Sequence, residues 1–397
     1  MYYLISVNTK FGLMQKLPTN LQQKIAKRNK EKALRSLEKT AGLINFSSND
    51  YLGFAHNETL FSKTFQLLLT ENIAQNGATG SRLISGNHKL YVQLEELLVD
   101  FHETESALVF NSGYDANIGF FGSVPQRDDI VFYDEHIHAS IRDGIKMGNA
   151  KSYKFKHNDV EDLESRCKTE QDRSITRAVI YVVTESVFSM DGDTPDLKAL
   201  ATFCTKKGHY LVVDEAHALG VMGLKGEGVV QQLGLQNEVF ARIITFGKAM
   251  GCHGAAILGV SALKEYLINF ARSFVYTTGL TPHTVATIIS AYGYLQNEGT
   301  SEIKRLQENL VFFKEKYSAL GLEKHFIPSS SAIQSCVVEG NAKVLKISKT
   351  LLDKGFYVKA IRAPTVPEGK ERLRFCLHST KGKEEIGLVL ELLSKHL

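Results

Sequence analysis

The chain of 397 residues is 43% hydrophobic and 23% charged, a balance that excludes a disordered polymer or a coiled coil and leaves room for two domains. A formal net charge of +4 over that length is too mild to argue for nucleic acid as a partner. The five cysteines (Cys167, Cys204, Cys252, Cys336, Cys376) are odd in number and scattered without CxxC spacing, which argues against a disulfide framework or a zinc site and suits a reducing cytoplasm.

Taken in order, the chain opens on MYYLISVNTKFGLM, which lacks the charged n-region and long apolar stretch of a leader peptide. Nowhere does an apolar run approach membrane-spanning length. Pro18 to Lys39 reads as a helix capped near Thr19 or Asn20, with Leu21, Ile25, Leu34 and Leu37 as its apolar stripe and a basic run from Lys24 to Lys39 as its solvated face. Leu43 to Ser48 reads as a short strand entering the turn Asn49-Asp50-Tyr51-Leu52-Gly53. Helices are expected over Glu58 to Gln75 and His88 to Phe101, separated by the glycine-rich loop Gly77 to Gly86, whose spacing matches neither a P-loop nor a dinucleotide fingerprint.

Alternation of apolar strands and helices then begins. Strands are expected at Ala107 to Phe110, Ile130 to Tyr133, Arg177 to Val183 and Tyr210 to Val213, the last two with the near-continuous apolar character of a sheet buried on both faces. Helices to about Phe121, over Ala139 to Met147 and over Asp196 to Lys207 supply crossovers. Beyond Pro282 a helical region runs to about Leu320. Strands at Ser331 to Val338, Phe356 to Ile361 and Arg372 to Leu377, with helices at Asn341 to Lys354 and Lys383 to Leu397, form a smaller α+β unit. The expected organisation is an N-terminal segment over 1–48, a large α/β domain over 49–290 and a small domain over 291–397. There is no internal repeat and no low-complexity segment.

In an α/β sheet, ligands gather beyond the carboxyl ends of the strands. Asn111-Ser112-Gly113-Tyr114 opens a helix there, which fits either an anion cup or simple N-capping by Ser112. Thr184-Glu185-Ser186 ends another strand and leads to Ser189-Met190-Asp191-Gly192-Asp193, a cluster more typical of turns than of metal sites. The strand in VVDEAHALG delivers Asp214 to its end, with His217 three residues on. A buried carboxylate needs a cation, so a salt bridge, a DxxH metal site or a protonated ligand would each satisfy it. Finally, the β-branched run Ile243-Ile244-Thr245 meets the loop Gly247-Lys248, with Gly251 and Gly254 before the apolar run Ala255 to Leu258. A lone turn lysine is ordinarily solvated. Held between buried strands, with Gly247 and Gly251 leaving space beside its amine, it becomes suited to Schiff-base chemistry. Lysine, strand-end carboxylate and helix N-terminus together describe pyridoxal phosphate: Lys248 for the Schiff base, Asp214 for the pyridinium nitrogen, the helix start for phosphate. His138, between a strand and a helix, offers an imidazole to stack on the ring.

At these blocks the chain resembles the α-oxoamine synthases among the fold-type I pyridoxal-phosphate enzymes. The matching stretches are NFSSNDYLG (Asn45–Gly53), GSRLISGNHKLYVQLE (Gly80–Glu95), NSGYDAN (Asn111–Asn117), TESVFSMDGD (Thr184–Asp193), VDEAHALGVMG (Val213–Gly223), TFGKAMGCHGAAILG (Thr245–Gly259) and AIRAPTVPEGKERLRF (Ala360–Phe375). They lie in family order across nearly the whole chain. The resemblance implies a mainly parallel seven-stranded sheet in the large domain, pyridoxal 5'-phosphate as cofactor and a homodimer with shared active sites, free of nucleic acid and membrane. By matching position it implies that Lys248, His138, Asp214 and His217 are catalytic. Cofactor contacts would come from Ser112, Gly113, Tyr114, His138, Glu185, Ser189, Asp214, His217, Thr245 and Lys248, with Thr277 or Thr278 reaching the partner subunit's phosphate. Arg35, Asn49, Thr365 and Arg374 would hold substrate. The AIRAPTVPEG segment is similar to the biotin-forming branch, which implies decarboxylating condensation of L-alanine with a pimeloyl thioester carried by coenzyme A or an acyl carrier protein. Alternatives on the same fold are glycine with acetyl-CoA, serine with a long acyl thioester, and an aminotransferase. A non-catalytic binding protein is the alternative outside enzymes.

Overall fold

The computed structural model describes residues 17–31, 33–35, 37, 40–173, 178–363 and 365–397. A two-residue strand, β1 (Ile44–Asn45), precedes the strands of the main sheet: β2 (Ser106–Phe110), β3 (Ile130–Asp134), β4 (Lys151–Phe155), β5 (Ile180–Glu185), β6 (Tyr210–Asp214), β7 (Ala241–Thr245) and β8 (Ala255–Gly259). These seven hydrogen-bond in the order β2-β8-β7-β6-β5-β3-β4, all parallel except β8, which runs antiparallel to both neighbours. The short β7–β8 hairpin is therefore the one place in this sheet where the chain turns straight back, and Lys248 sits in that turn.

Strand alternation explains why both faces are apolar. On β5 and β6, Ile180, Val182, Leu211 and Val213 face one core layer, with Leu90, Leu94 and Leu98 of the helix Lys89–His102. Tyr181, Val183 and Val212 face the other, with Ala116 and Phe120 of the helix Gly113–Phe121 and Ile141 and Ile145 of Ala139–Met147. A period of two thus fills two layers from one sequence run. Beyond the sheet, β9 (Ile333–Val337), β11 (Lys359–Ile361) and β12 (Arg372–Cys376) form a separate antiparallel sheet in the order β11-β12-β9. The strand between them in sequence, β10 (Phe356–Tyr357), pairs in parallel with β1, and Phe46 packs edge-on against Phe375.

Several expected elements differ. The N-terminal helix spans Thr19–Lys30 rather than 18–39, is preceded by Pro18 at the cap, and buries none of its residues. Leu21 and Ile25 remain exposed and Leu34 and Leu37 fall beyond the helix, so the expected stripe is not a packed face. Two apolar positions among strongly polar neighbours are too few to bind a helix to the core. Lys39 and Arg177 lie outside the described residues. The helical region after Pro282 is two helices, Pro282–Asn297 and Thr300–Ala319, broken at Glu298-Gly299. Val358 divides 356–361 into β10 and β11, which belong to different sheets. Strand β4 and the helix Val160–Arg173 have no counterpart in the pattern reading. The sequence KSYKF of β4 forms a largely exposed sheet edge, and an edge strand lacks the apolar run that marks a central one.

The same alternation splits the Asp214-Glu215 pair. Asp214 follows Val212 to one face. Glu215 goes to the other, where it is fully buried and bonded through Oε2 to Nε and Nη2 of Arg242 at 2.8 and 2.7 Å. Arg242 also donates to the carbonyls of His102 at 3.2 Å and Glu227 at 2.9 Å. Removing one member of such a pair strands the other charge. Arg242→Ala should therefore lower the unfolding free energy by about 3–5 kcal/mol, measured by denaturant titration. A loss near zero would show that Glu215 finds another partner or a proton.

Candidate active site

The sheet delivers its functional side chains by register. Glu185 at the end of β5 is the direct neighbour of Asp214 at the end of β6, which in turn pairs with Ile243 of β7. Glu185, Asp214 and Thr245 follow Val183, Val212 and Ile243 by two residues each, so all three share the face covered by the helix Gly113–Phe121. That helix carries the piece the motif reading passed over. Asn117 donates through Nδ2 to Asp214 Oδ2 at 3.0 Å and to Ser140 Oγ at 3.0 Å. The other carboxylate oxygen, Oδ1, accepts from the Ala216 amide at 2.9 Å. Both oxygens of Asp214 are thereby fixed.

One cavity gathers Gly113, Tyr114, Asn117, His138, Ser140, Glu185, Asp214, His217, Thr245 and Lys248. Eight of these ten were named from sequence; Asn117 and Ser140 were not. Asn117 lies one helical turn beyond Gly113 inside NSGYDAN, and that i, i+4 spacing is the signal that would have found it. Tyr51 is a third omission: its hydroxyl meets His217 Nδ1 at 2.8 Å, so the turn after β1 holds that imidazole. His138 is held twice, its amide donating to Glu185 Oε1 at 2.5 Å and its Nδ1 meeting Ser140 Oγ at 2.7 Å.

The electrostatics follow from crowding. Burial, reinforced by the neighbouring Asp214 charge, raises Glu185 well above the usual carboxylate range. Burial, with Lys248 and Arg374 nearby, holds His217 well below the ordinary imidazole range. His138 is also lowered, first by burial, although Asp214 pulls the other way. For Lys248 burial is again the largest cause, and with Asp214 and Glu185 partly opposing it the amine is lowered to about 8. Its side chain keeps part of its surface toward the cavity, so this is an amine both reachable and readily deprotonated.

The glycines of the lysine loop have distinct duties. A Cβ on Gly251, whose φ is +61°, would meet the backbone nitrogen of Ala55 at 2.2 Å. Gly251 thus lets the loop press onto the turn at 54–56, a packing role rather than clearance beside the amine. Gly247 has no atom closer than 3.7 Å to a notional Cβ and does leave that side open.

The remaining expected residues are distributed as follows. Ser112 caps its helix, accepting from the Asp115 amide at 3.1 Å and donating to Asp115 Oδ2 at 2.7 Å. Ser189, Arg35 and Thr365 border an adjoining cavity that also touches His138. Thr277 and Thr278 lie apart from the main cavity, tied to Asn111 Nδ2 through Thr277 Oγ1 at 3.2 Å and the Thr278 carbonyl at 2.6 Å. Asn49 Oδ1 accepts from Arg374 Nη2 at 3.1 Å, joining the turn after β1 to β12. Arg374 Nε is buried without an acceptor, so this guanidinium has a hydrogen bond still to give. His136, His157 and Asp191 also cluster, but both nitrogens of His157 are committed, to Asp134 at 2.9 Å and Asp193 at 2.7 Å. Burial alone would lower His157; the two carboxylates outweigh it and lift the imidazole to about 9. It is a charged strut, not a free ligand.

The donor set fits pyridoxal phosphate. First-turn amides of a helix lack intrahelical acceptors, and those of Gly113 and Tyr114 border the cavity, supplying an anion site. Asp214, immobilised through both oxygens, supplies the partner for a protonated ring nitrogen, and Lys248 the amine.

Residues 41–391 match the model of the class I and II aminotransferase family. The 8-amino-7-oxononanoate synthase of Emericella nidulans is 37% identical over 373 residues, covering 89% of this chain and 89% of its own. That of Lysinibacillus sphaericus is 36% identical over 352 residues, covering 88% and 87%. Among solved structures, serine palmitoyltransferase of Sphingomonas wittichii gives a TM-score of 0.87 at 27% identity, covering 96% of this chain and 98% of that one. The 8-amino-7-oxononanoate synthase of Francisella tularensis gives 0.73 at 30% identity, covering 89% and 97%. Serine palmitoyltransferase of S. paucimobilis with bound PLP and myriocin gives 0.85 at 27% identity, covering 96% and 98%.

Proposed function

The chain belongs to the class I and II aminotransferase family, with the fold of the type I PLP enzymes, and from that premise we propose that it condenses L-alanine with a pimeloyl thioester to give 8-amino-7-oxononanoate, CO2 and the free thiol carrier. The observation that carries this reading is the meeting of Lys248, the doubly anchored Asp214 and a helix N-terminus in one cavity, in a chain whose relatives over most of its length bear that activity's name. Bound PLP supplies an electron sink for the bond-making carbon of the amino acid.

Gly113, Tyr114 and Thr245 would hold the phosphate, Asp214 a proton on the ring nitrogen, and His138 the face of the ring. Lys248 Nζ takes the Cα proton of alanine as its base, a role suited to an amine lowered to about 8. Cα then bonds to the acyl carbon while the thiol leaves with the proton that Lys248 had taken; the β-keto acid so formed loses CO2, and Cα takes a proton from solvent in its place. Glu185 accepts from the His138 amide and sets that imidazole against the cavity. Arg374, with its spare Nε donor, and Asn49 are suited to a substrate carboxylate. Arg35 and Thr365 border the route by which an acyl chain would enter.

We assign a homodimer on the same reading. Phe61, Phe65 and Leu69 lie four residues apart on the helix Glu58–Thr70 and are 69%, 57% and 59% exposed, an apolar stripe that a second copy would cover. Thr277 and Thr278 would then face the partner subunit's cofactor. All five cysteines are unpaired, which suits the cytoplasm. No helix among the described residues is long and apolar enough to cross a membrane.

Serine with a long acyl thioester is the second reading, favoured by the 0.87 TM-score to serine palmitoyltransferase but set against 36–37% identity to the relatives named 8-amino-7-oxononanoate synthase. The test is a product assay crossing alanine, glycine and serine with pimeloyl, acetyl and palmitoyl thioesters. CO2 release and an amino-oxo acid from alanine plus pimeloyl thioester alone are expected. Preference for either other amino acid, or a keto acid without CO2, overturns the assignment.

A further inference from the structure

The cavity that adjoins the cofactor cavity at His138 has a volume of about 770 Å³ and is lined in part by Ile137, Phe188 and Val366, all three buried. Such side chains suit a run of methylenes. The charged residues around it differ in how they are engaged. Glu135 is answered by Lys154 at 3.3 Å, and Asp191 by Arg372 and by His136, the latter at 3.5 Å. Arg35 and Thr365 border both this cavity and a groove outside it, so they stand at its mouth, and Glu368 belongs to the segment that carries Thr365. Arg142 borders the inner cavity and not that groove. Among the described residues it forms no ion pair, and its one hydrogen bond runs from Nη1 to the Glu135 carbonyl at 3.5 Å. A guanidinium carries five N–H donors, so most of those on Arg142 are still to give.

Arg142 lies four residues after His138, on the helix Ala139–Met147 that His138 caps. That spacing is one turn, about 6 Å along the axis and on the same side. Both residues border the cavity, and of the two His138 alone also borders the cofactor cavity. The charge on Arg142 is felt at His138: burial is the main cause of that imidazole's lowered pKa, Asp214 opposes it, and Lys248 and then Arg142 add to it. A pimeloyl group measures about 7–8 Å from its thioester carbon to its far carboxyl carbon, a zigzag of bonds of about 1.5 Å each. With the thioester carbon beside His138, the far carboxylate reaches Arg142. An acetyl group ends short of it, and a long hydrocarbon chain would set methylenes against a cation.

We propose that Arg142 selects the acyl substrate: its guanidinium pairs with the far carboxylate of the chain, so that the enzyme takes the monothioester of a dicarboxylic acid of pimeloyl length. The inference rests on the acyl-transfer reading above and adds to it the residue that reads the distal end of the chain. A guanidinium meets a carboxylate through two parallel hydrogen bonds, where a lysine offers only a point charge.

The test uses the full-length holoenzyme with L-alanine and two coenzyme A thioesters that differ only at the far end, pimeloyl and heptanoyl. The unchanged enzyme should favour pimeloyl in kcat/KM by about 10–100-fold, the range of a charge-assisted hydrogen bond. Arg142→Ala should lose that preference through a raised KM for the pimeloyl thioester, while kcat/KM for the heptanoyl thioester changes by no more than about twofold. Arg142→Lys should recover part of the preference. An equal fall with both thioesters overturns the inference, since Arg142 would then serve the thiol arm or the helix itself. A preference that survives in Arg142→Ala overturns it too, because the carboxylate is then held elsewhere, and so does an unchanged enzyme that shows no preference. In each of these cases turnover with alanine leaves the acyl-transfer reading standing. If the unchanged enzyme turns over neither thioester, that reading fails and the inference falls with it.

Discussion

Lys248→Ala should lower turnover by about 10³-fold or more and abolish the visible absorption of a lysine-linked cofactor, while the thermal unfolding curve stays near that of the unchanged protein. The lysine lines the cavity from a hairpin turn whose shape is fixed by backbone bonds, Gly251 to Lys248 at 2.9 Å and Cys252 to Phe246 at 2.8 Å, so loss of the side chain does not undo the loop. A pH signature separates this residue from a merely packed one. The reactive form is the neutral amine, and burial has lowered its pKa to about 8. Capture of added PLP by the apo-protein should therefore rise about tenfold per pH unit up to roughly pH 8 and level off above it. Capture that keeps climbing toward pH 10 would mean the amine is solvated. An Ala variant that keeps both its absorption band and its rate would remove Lys248 from the chemistry altogether.

Asp214→Asn should cost about 10²-fold or more in kcat with the fold intact. Asparagine preserves the shape but can accept from only one of Asn117 and Ala216, because its NH2 donates; nor can it hold a neighbouring ring nitrogen in its protonated form. Two further readouts follow from charge alone. Asp214 is the largest influence opposing the burial effect on Lys248, so its removal should move the midpoint of PLP capture below pH 8. It is also the like charge beside Glu185, so that carboxyl should titrate closer to its ordinary range. A variant with wild-type kcat and an unmoved midpoint would show that Asp214 is a structural carboxylate.

The legible part of this protein was the part where local pattern and tertiary role coincide. Val212-Val213-Asp214 announces a buried strand and the residue at its end, and β6 ends there with Asp214 on the cavity. The Gly-Lys step after Ile243-Ile244-Thr245 announces a turn, and the β7–β8 hairpin supplies it. Asn117 and Ser140 escaped because their contribution is to hold another side chain; only its place one turn after Gly113 marks Asn117, and nothing local distinguishes Ser140 from a surface polar residue. The N-terminal helix misled for the opposite reason: leucines at helical spacing imply a buried face only if something lies opposite, and that is a tertiary fact. Strand β4 was hidden by its position at the sheet edge, where lysines are compatible with pairing on one side.

The pairing of β1 with β10, and the Asn49–Arg374 bond beside it, orders events during synthesis. Every strand of the main sheet has left the ribosome once Gly259 has emerged with room to fold, so the lysine, its carboxylate and the anion site can assemble early. The turn carrying Asn49 and Tyr51 has been made long before, yet its strand has no partner until Phe356 and Tyr357 appear. It must wait through some three hundred residues of translation, and His217 waits with it for the Tyr51 hydroxyl. Asn49, made early, is thus tied to the last-made part of the chain through β12.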